Sequence, residues 1–468
     1  MLDMKMKRLM TGLCLWAGLL LCCGCQAKGP TAGQGESGQV QVRTAGREAE
    51  DSGNEREQER ARGGWDSQEE GKVQDNGSAA FGTPVSTQSG PAAESGEEQE
   101  ADQEDEKLSE EVEEYLEKMT LEEKVAQLFI ILPESLMKVD QVTAAGEMTR
   151  NSINQIPVGG FIYMAGNLVS ADQVKTMLSN VQAYSLERTG LPMFLSVDEE
   201  GGTVTRISGK GKIDVPVIGD MAAVGQTNDP ARAKKIGSDM GTYLAELGFN
   251  VDFAPVADVL SNPENAVVKS RSFGSDPKLV SDMSLALAEG LGEHGIISVF
   301  KHFPGHGATA GDTHAGYAFT DKTLDDLLQC ELIPFQRCIE QKAGFIMVGH
   351  ISLPNVIGDD TPASLSPVII NGLLRDRMGY DGVVVTDALD MGAVTGQYSS
   401  AEAAVKVLEA GADLILMPQN FEEAYQGVIG AVQDGTLTAE RIDESLRRIL
   451  KVKLRYCSHG FAAAGENP

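Results

Sequence analysis

The sequence is poor in positive charge. Its 468 residues contain 39 Lys and Arg against 69 Asp and Glu, which gives a formal net charge of −30. A protein that binds nucleic acid needs a basic face to replace the counterions of the phosphates, so the imbalance argues against this class. It also argues against docking on anionic lipid by charge. At 41% hydrophobic and 23% charged, the average composition is still that of a globular protein.

A long apolar run is also missing near the N-terminus. The run from Leu13 to Cys23 covers 11 residues, whereas a membrane-spanning helix needs about 20. Basic residues precede it, so residues 1–25 have the organisation of a secretory signal. The run is followed by Gly24-Cys25, and a small residue before a cysteine resembles the bacterial lipobox. We predict a lipoprotein-type signal with Cys25 as the lipid attachment site, which would place the protein outside the cytoplasm on the bacterial cell membrane. An ordinary cleaved signal is the alternative.

Aliphatic side chains are scarce between residues 26 and 108. This segment is rich in Gly, Ser, Gln and Glu, and its 19 acidic and 8 basic residues give a net charge of −11. Such a composition cannot bury enough apolar area to offset the entropy lost on ordering. We therefore predict a disordered acidic linker, with a root-mean-square span of roughly 50 Å, between the anchor and the rest of the chain.

Residues 109–468 lack tryptophan and hold only three cysteines, Cys330, Cys338 and Cys457. Three scattered cysteines do not make a disulfide framework. The region also lacks a His-Glu-x-x-His motif and a paired Cys-x-x-Cys, which are the strong signals for a bound metal. We expect no metal and no cofactor.

Short apolar runs recur through residues 109–468, and each reads as a strand buried on both faces. The eight runs are Leu128–Leu132, Gly160–Tyr163, Met193–Val197, Val251–Ala254, Ile297–Phe300, Phe345–Val348, Val383–Thr386 and Asp413–Met417.

Segments with helical periodicity separate these runs. The clearest are Ala171–Arg188, Pro230–Leu247, Pro277–His294, Leu324–Gln341, Ser400–Ala410 and Ala439–Tyr456. Eight strands alternating with helices predict a (β/α)₈ TIM-type barrel forming a single catalytic domain over 109–468. A doubly wound open sheet is the alternative, although no Gly-rich dinucleotide-binding turn is present.

Reactive side chains follow the ends of several predicted strands, where the active site of such a barrel lies. Asp198 follows the third run, Lys301 and His302 follow the fifth, His350 follows the sixth, and Asp387 follows the seventh. A carboxylate at the position of Asp387 could act as a nucleophile or stabilise a cation.

Two further features bear on acid–base chemistry. Asp312 lies two residues before His314, and an Asp at this spacing can hold one imidazole nitrogen while the other exchanges a proton. Asp390 lies three residues after Asp387 and could compete with it for the same role. The position of Asp387 at the strand end favours Asp387. A solvated polar loop is the alternative explanation of the Asp312 and His314 pair.

Charged side chains near the predicted strand ends would form a hydrogen-bonding pocket. They are Asp198, Arg206, Arg271 and Lys301. Such a set suits a hydroxyl-rich substrate.

These segments together resemble glycoside hydrolase family 3, specifically its single-domain β-N-acetylhexosaminidases. The matching pieces cover most of residues 109–457 in the family's order. They are Met119–Lys124, Asp198–Gly202, Arg271–Gly274, Lys301–Gly307, Asp312–His314 and Thr386-Asp387. The run Lys-His-Phe-Pro-Gly-His-Gly followed by Asp-x-His is the most specific of them.

The resemblance implies a retaining glycosidase that removes terminal β-N-acetylglucosamine from peptidoglycan fragments or related glycans. It implies that Asp387 is the nucleophile, that His314 is the acid and base, and that Asp312 orients His314. It also implies a set of residues that bind the N-acetylglucosamine unit: Asp198, Arg206, Arg271, Lys301 and His302. The larger β-glucosidase branch takes its acid from a second domain, for which we expect no room here.

Two departures from the family pattern concern substrate choice. Glu199 stands where Gln is common, and the chain after Asp387 reads Ala-Leu-Asp-Met, where a second acid often follows directly. Two other functions stay open: a phosphorylase that releases the sugar to phosphate, and a sugar-binding lipoprotein without activity. We also expect a monomer, and a 305–315 loop that is mobile when the site is empty.

Overall fold

The computed structural model describes residues 96–311 and 318–457, with side chains from residue 103 onward. Within these two ranges the ten strands are β1 (Phe129–Ile131), β2 (Gly160–Ile162), β3 (Phe194–Val197), β4 (Val251–Asp252), β5 (Ile297–Phe303), β6 (Ala318–Phe319), β7 (Phe345–Val348), β8 (Ile351–Ser352), β9 (Val383–Thr386) and β10 (Ile415–Leu416).

Eight of these strands form a parallel barrel in the order β10-β1-β2-β3-β4-β5-β7-β9. A parallel bridge between Val385 of β9 and Leu414, just before β10, joins the two ends of the sheet. β6 and β8 pair separately beside the barrel. The predicted (β/α)₈ barrel and all eight predicted barrel strands are confirmed.

The barrel interior is filled by the apolar residues that identified the strands. The rings of Phe194 on β3 and Phe345 on β7 meet edge to face with centroids 5.4 Å apart. Lys453, which follows the last helix, lies below them: its Nζ donates to Gln127 Oε1 at 2.7 Å and to the Gly159 carbonyl at 2.8 Å. The N-terminal end of the barrel is therefore packed, and open space lies at the opposite end.

Fifteen α-helices lie within the described ranges. They are α1 (Gly96–Lys118), α2 (Leu121–Ala126), α3 (Pro133–Met137), α4 (Glu147–Gln155), α5 (Ala171–Thr189), α6 (Met221–Gly225), α7 (Pro230–Leu247), α8 (Pro277–Gly292), α9 (Leu324–Gln329), α10 (Leu332–Glu340), α11 (Pro354–Ile357), α12 (Gly392–Thr395), α13 (Ser400–Ala410), α14 (Phe421–Asp434) and α15 (Ala439–Val452). Short 3₁₀ turns span His306–Ala308 and Ala363–Leu365, and π-helical segments span Val368–Arg377 and Lys453–Cys457.

The segment predicted as one helix over Leu324–Gln341 is two helices, α9 and α10. Pro334 has no N–H to bond the carbonyl of Cys330 four residues earlier, so a continuous helix cannot form there. The break also turns the buried Glu331 inward, where its Oε1 accepts from Ser261 Oγ at 2.6 Å and Lys322 Nζ at 2.5 Å.

The first helix begins earlier than the predicted boundary at residue 109. α1 runs from Gly96 and packs against α15, with Val112 and Leu116 buried. Arg447 of α15 donates to Glu113 at 2.7 Å. Once this packed half is helical, extending the helix toward the N-terminus needs no new nucleation.

Three observations concern the remaining predictions. Within the described residues, Cys330, Cys338 and Cys457 are free thiols. No helix within residues 96–311 and 318–457 is long and apolar enough to span a membrane. The predicted signal with Cys25, and nearly all of the predicted linker, lie outside the described residues.

Candidate active site

A cavity of about 390 Å³ opens at the C-terminal ends of the barrel strands. Its polar lining residues are Asp198, Glu200, Arg206, Arg271, Lys301, His302, His306, Asp387 and Asp390. A larger groove of about 750 Å³ between α8 and α10 contains none of the predicted site residues. Size therefore does not identify the site, and the convergence of polar side chains at the strand ends does.

Asp198, directly after β3, holds two cations at one wall of the cavity. Its Oδ2 accepts from Arg206 Nη2 at 2.9 Å, and its Oδ1 accepts from Lys301 Nζ at 3.0 Å. The Lys301 side chain is only 3% exposed. Burial alone would lower the pKa of this amine, but Glu200 and Asp198 raise it above its ordinary value. Lys301 therefore stays a cation and a donor.

Glu200, which is not among the predicted site residues, links the two halves of the site. Its carboxylate accepts from Arg271 Nε and Nη2, both at 2.7 Å, and from Lys301 Nζ at 2.6 Å. Burial would raise the pKa of Glu200, but the charges of Arg271 and Lys301 hold it far below its ordinary range. The sequence pattern that could have identified Glu200 is the alternation of side chains: in an extended segment, the side chains of residues 198 and 200 point to the same side.

His302, at the end of β5, lies between a carboxylate and a guanidinium. Its Nδ1 is 2.7 Å from Asp258 Oδ2, and its Nε2 is 3.3 Å from Arg271 Nη2. Asp258 follows β4 and is fully buried. Burial would raise the pKa of Asp258, but the paired His302 outweighs it and lowers the pKa. Asp258 is a second residue that sequence reasoning missed.

Asp387 lies directly after β9 and is half-buried, whereas Asp390 is exposed. The Asp387 backbone N–H donates to the Val348 carbonyl at 2.9 Å, which continues the pairing of β7 and β9, and Ala388 N–H donates to Asp387 Oδ1 at 2.8 Å. Burial would raise the pKa of Asp387, but the combined effect of His302, His350, the Ala388 N–H and Lys301 outweighs it, and the pKa is lowered. Asp387 therefore faces the cavity as a carboxylate.

His350 supports the backbone beside Asp387. Its Nε2 is 2.9 Å from the Ala388 carbonyl and its Nδ1 is 2.6 Å from Ser364 Oγ. A carbonyl only accepts, so Nε2 carries the proton and Nδ1 accepts from the hydroxyl. Burial lowers the pKa of His350, which keeps the ring neutral. Its predicted place after a barrel strand is confirmed.

Comparison with known proteins agrees with this geometry. Residues 120–452 match the model of the glycosyl hydrolase family 3 N-terminal domain. The chain belongs to glycosyl hydrolase family 3.

Several family 3 relatives are similar over most of the barrel. Beta-hexosaminidase A of Pseudoalteromonas piscicida is 33% identical over 324 residues, covering 65% of this chain and 54% of the relative. Beta-hexosaminidase LpqI of Mycobacterium tuberculosis is 36% identical over 304 residues, covering 62% and 76%. A solved family 3 beta-N-acetylglucosaminidase from Paenibacillus sp. str. FPU-7 is 35% identical with a TM-score of 0.69, covering 75% of this chain and 64% of its own. The chain thus spans between about half and two thirds of the Pseudoalteromonas and Paenibacillus proteins.

Glu199, which departs from the common family 3 pattern, does not face the cavity. Its buried carboxylate accepts from the N–H groups of Arg206 and Ile207 through Oε2, at 2.7 and 3.0 Å. Its Oε1 accepts from Ser208 N–H at 2.7 Å and from Tyr243 Oη at 3.0 Å. The extra negative charge therefore fixes the loop that carries Arg206 rather than changing the cavity lining.

Asp312 and His314, the predicted acid–base pair, lie outside the described residues. The flanking backbone is defined: Ala310 pairs with Phe319 in an antiparallel bridge. Of the predicted site residues, the structure thus brings together the five substrate-binding candidates and Asp387. Within residues 96–311 and 318–457, no three His, Cys, Asp or Glu side chains form a cluster suited to a metal ion.

Proposed function

We propose that this chain is a retaining exo-β-N-acetylhexosaminidase that hydrolyses terminal β-N-acetylglucosamine from peptidoglycan fragments or related glycans. The observation that carries the proposal is the Asp387 carboxylate, which faces a cavity lined by Asp198, Arg206, Lys301 and His302. The names of the relatives support the same reaction, since each is a hexosaminidase or an N-acetylglucosaminidase.

In the proposed reaction Asp387 attacks the anomeric carbon of the sugar. The glycosidic bond breaks as the new carboxylate–carbon bond forms, and His314, oriented by Asp312, gives its proton to the departing oxygen. Water then attacks the anomeric carbon and gives a proton to His314, the bond between that carbon and Asp387 breaks, and the sugar is released with retained configuration. A lowered pKa suits Asp387 because a nucleophile must be ionised.

The charged wall supplies the recognition of the sugar. Lys301 and Arg206 are held by Asp198 with N–H groups left to donate, and carboxylate oxygens of the same network can accept from sugar hydroxyls. Because these side chains are fixed by ion pairs before substrate arrives, little ordering is needed on binding. A rigid, charged wall of this kind favours a polyol over an apolar ligand.

An assay with aryl glycosides tests the activity. Wild-type protein should release the aryl group from the β-N-acetylglucosaminide faster than from the β-glucoside, and Asp387→Ala should lower kcat by more than about 10³-fold. Asp381→Asn is the matched control, because Asp381 lies at the opposite end of the same strand and is 95% exposed. Wild-type turnover no faster than that of Asp387→Ala would instead favour a sugar-binding protein.

Product analysis with and without phosphate determines whether the sugar is transferred to water or to phosphate. We expect free N-acetylglucosamine as the main product at all phosphate concentrations. Sugar 1-phosphate as the main product would refute the hydrolase and establish the phosphorylase. An N-acetylgalactosaminide in the same series measures how strongly the enzyme discriminates between the two configurations of the 4-hydroxyl.

We further propose that the enzyme is held outside the cytoplasm by a lipid on Cys25, with the segment between Cys25 and α1 as a linker. Several acyl chains hold a protein stably, whereas one chain holds it weakly. The Cys25→Ser variant should move from the membrane fraction to the soluble or precursor fraction. An unchanged membrane fraction would contradict the anchor.

A further inference from the structure

One carboxylate beneath the cavity receives three N–H groups from the strand and turn that carry the site. Asp258 Oδ1 accepts from the backbone N–H of His302 at 3.1 Å and from that of His306 at 2.6 Å, while Oδ2 faces His302 Nδ1 at 2.7 Å. Asp258 is fully buried and its own carbonyl accepts from Ser272 Oγ at 2.7 Å. Asp258 is therefore held both through its carboxylate and through its backbone carbonyl.

The two neighbours of the His302 ring determine which nitrogen carries the proton. An ionised Asp258 can only accept, so Nδ1 must donate to it. The guanidinium of Arg271 can only donate, so Nε2, 3.3 Å from Arg271 Nη2, must present its lone pair. Both contacts are satisfied together by one neutral tautomer, with the proton on Nδ1.

The other groups around His302 are consistent with this tautomer. The His306 ring lies edge to face with it at 5.8 Å between centroids. Burial lowers the pKa of His306, which keeps that ring neutral as well. On the cavity side, Arg271 from the loop after β4 places its guanidinium beside Nε2, and the carboxylates that line the same cavity are those of Asp198, Glu200, Asp387 and Asp390.

We propose that Asp258 is a positioning residue that sets His302 as a hydrogen-bond acceptor toward the substrate and ties the turn His306–Ala308 to the segment after β4. This rests on the proposed function. With its lone pair on Nε2, His302 can accept a hydrogen bond from a sugar hydroxyl that replaces the 3.3 Å contact with Arg271, beside the donors Lys301 and Arg271. Through the N–H of His306, the same carboxylate fixes the turn His306–Ala308, from which the chain continues toward Asp312 and His314.

Asp258→Asn separates the two roles because the amide keeps one oxygen. Its Oδ1 can still accept from the backbone N–H groups of His302 and His306, but its NH₂ would face Nδ1 and force the proton onto Nε2. Nε2–H would then oppose the donor Arg271. We expect kcat/KM for the aryl β-N-acetylglucosaminide to fall by about 10²-fold or more, as when an orienting carboxylate is replaced by an amide elsewhere.

A double variant tests whether the effect passes through His302. If Asp258 acts through this ring, Asp258→Asn in a His302→Gln background should change kcat/KM by less than about 3-fold. An equal loss in both backgrounds would overturn the proposal. Asp413→Asn is the matched control: Asp413 is also fully buried and accepts from Arg375 and Ser445, but it lies before β10 at the packed end, so its loss should lower stability and leave kcat/KM unchanged.

A ¹⁵N NMR measurement of the imidazole nitrogens gives a readout that needs neither turnover nor a folded variant at Asp258. With His302 assigned by the His302→Gln spectrum, we expect a protonated Nδ1 and an unprotonated Nε2 in the wild type. A proton on Nε2 would overturn the proposal even if the hydrolase activity holds. Conversely, an inactive wild type with the proton on Nδ1 would refute the proposed function and leave the positioning role standing.

Discussion

Replacing Glu200 with Gln removes one negative charge from the most buried part of the site network. The Glu200 side chain is 2% exposed and receives three N–H groups from Arg271 and Lys301 at 2.6 to 2.7 Å. Breaking a buried ion pair by removing one partner costs about 3–5 kcal/mol. Because Asp198 still accepts from Lys301, we expect the lower end, a fall of about 3 kcal/mol in the free energy of unfolding at pH 7.

The pH dependence of this loss follows from the lowered pKa of Glu200. A carboxyl whose pKa is lower in the folded than in the unfolded state stabilises the fold fully above its unfolded pKa, about 4.3. As the pH falls below that value toward the folded pKa, the stabilisation is lost. The difference in unfolding free energy between wild type and Glu200→Gln should therefore be constant from pH 7 to about 5 and shrink below about 4.

Urea denaturation followed by far-UV circular dichroism measures this difference. Tryptophan fluorescence does not serve, because Trp16 and Trp65 both precede the barrel. Glu289→Gln is the matched control, since its pair with Lys234 is exposed and exposed pairs contribute about 0–1 kcal/mol. A Glu200→Gln variant within about 0.5 kcal/mol of wild type, or a difference that stays constant down to pH 3, would refute the reasoning.

Three further predictions concern the walls and the base of the barrel. Glu199→Gln should raise KM for the aryl glucosaminide by about tenfold, which steady-state kinetics measure. The new NH₂ would face the N–H of Ser208. That N–H would be left unpaired at a cost of about 1–3 kcal/mol. Gly307→Ala should lower kcat by about 10²-fold. A Cβ at this position would lie 1.9 Å from the Val259 carbonyl oxygen and would displace the 305–315 loop. An unchanged kcat would contradict the prediction. Burial lowers the pKa of Lys453 to about 7, so between pH 7 and 10 the unfolded chain binds a proton that the folded chain does not, and stability should rise with pH. Thermal melts of Lys453→Met should lack that rise.

The barrel strands could be predicted because each is a short apolar run buried on both faces. Runs such as Val383–Thr386 coincide with observed strands to the residue. Helix ends were less certain: the apolar periodicity runs through the break that Pro334 causes at Cys330, and the inward turn of Glu331 depends on Ser261, 70 residues away in the sequence. Local periodicity contains no information about such distant partners.

The individual site residues were predictable where a strand end exposes them, as with Asp198, Lys301 and Asp387. The buried residues that hold these side chains in place could not be predicted. Asp258 lies in an apolar stretch after β4 and is recognisable only once β4 and β5 are paired, since its partner His302 is 44 residues away. The opposite directions of Glu199 and Glu200 follow from extended backbone, but which of the two faces the barrel depends on the register of β3.

Trapping the glycosyl-enzyme tests the central claim most directly. A fluorinated N-acetylglucosamine derivative with a good leaving group slows the second step, so the covalent intermediate accumulates and its site can be mapped by peptide mass spectrometry. We predict one sugar per chain, attached to Asp387, and no adduct in Asp387→Ala. An adduct on Asp390 or on any other residue, or hydrolysis that inverts the anomeric configuration, would contradict the account.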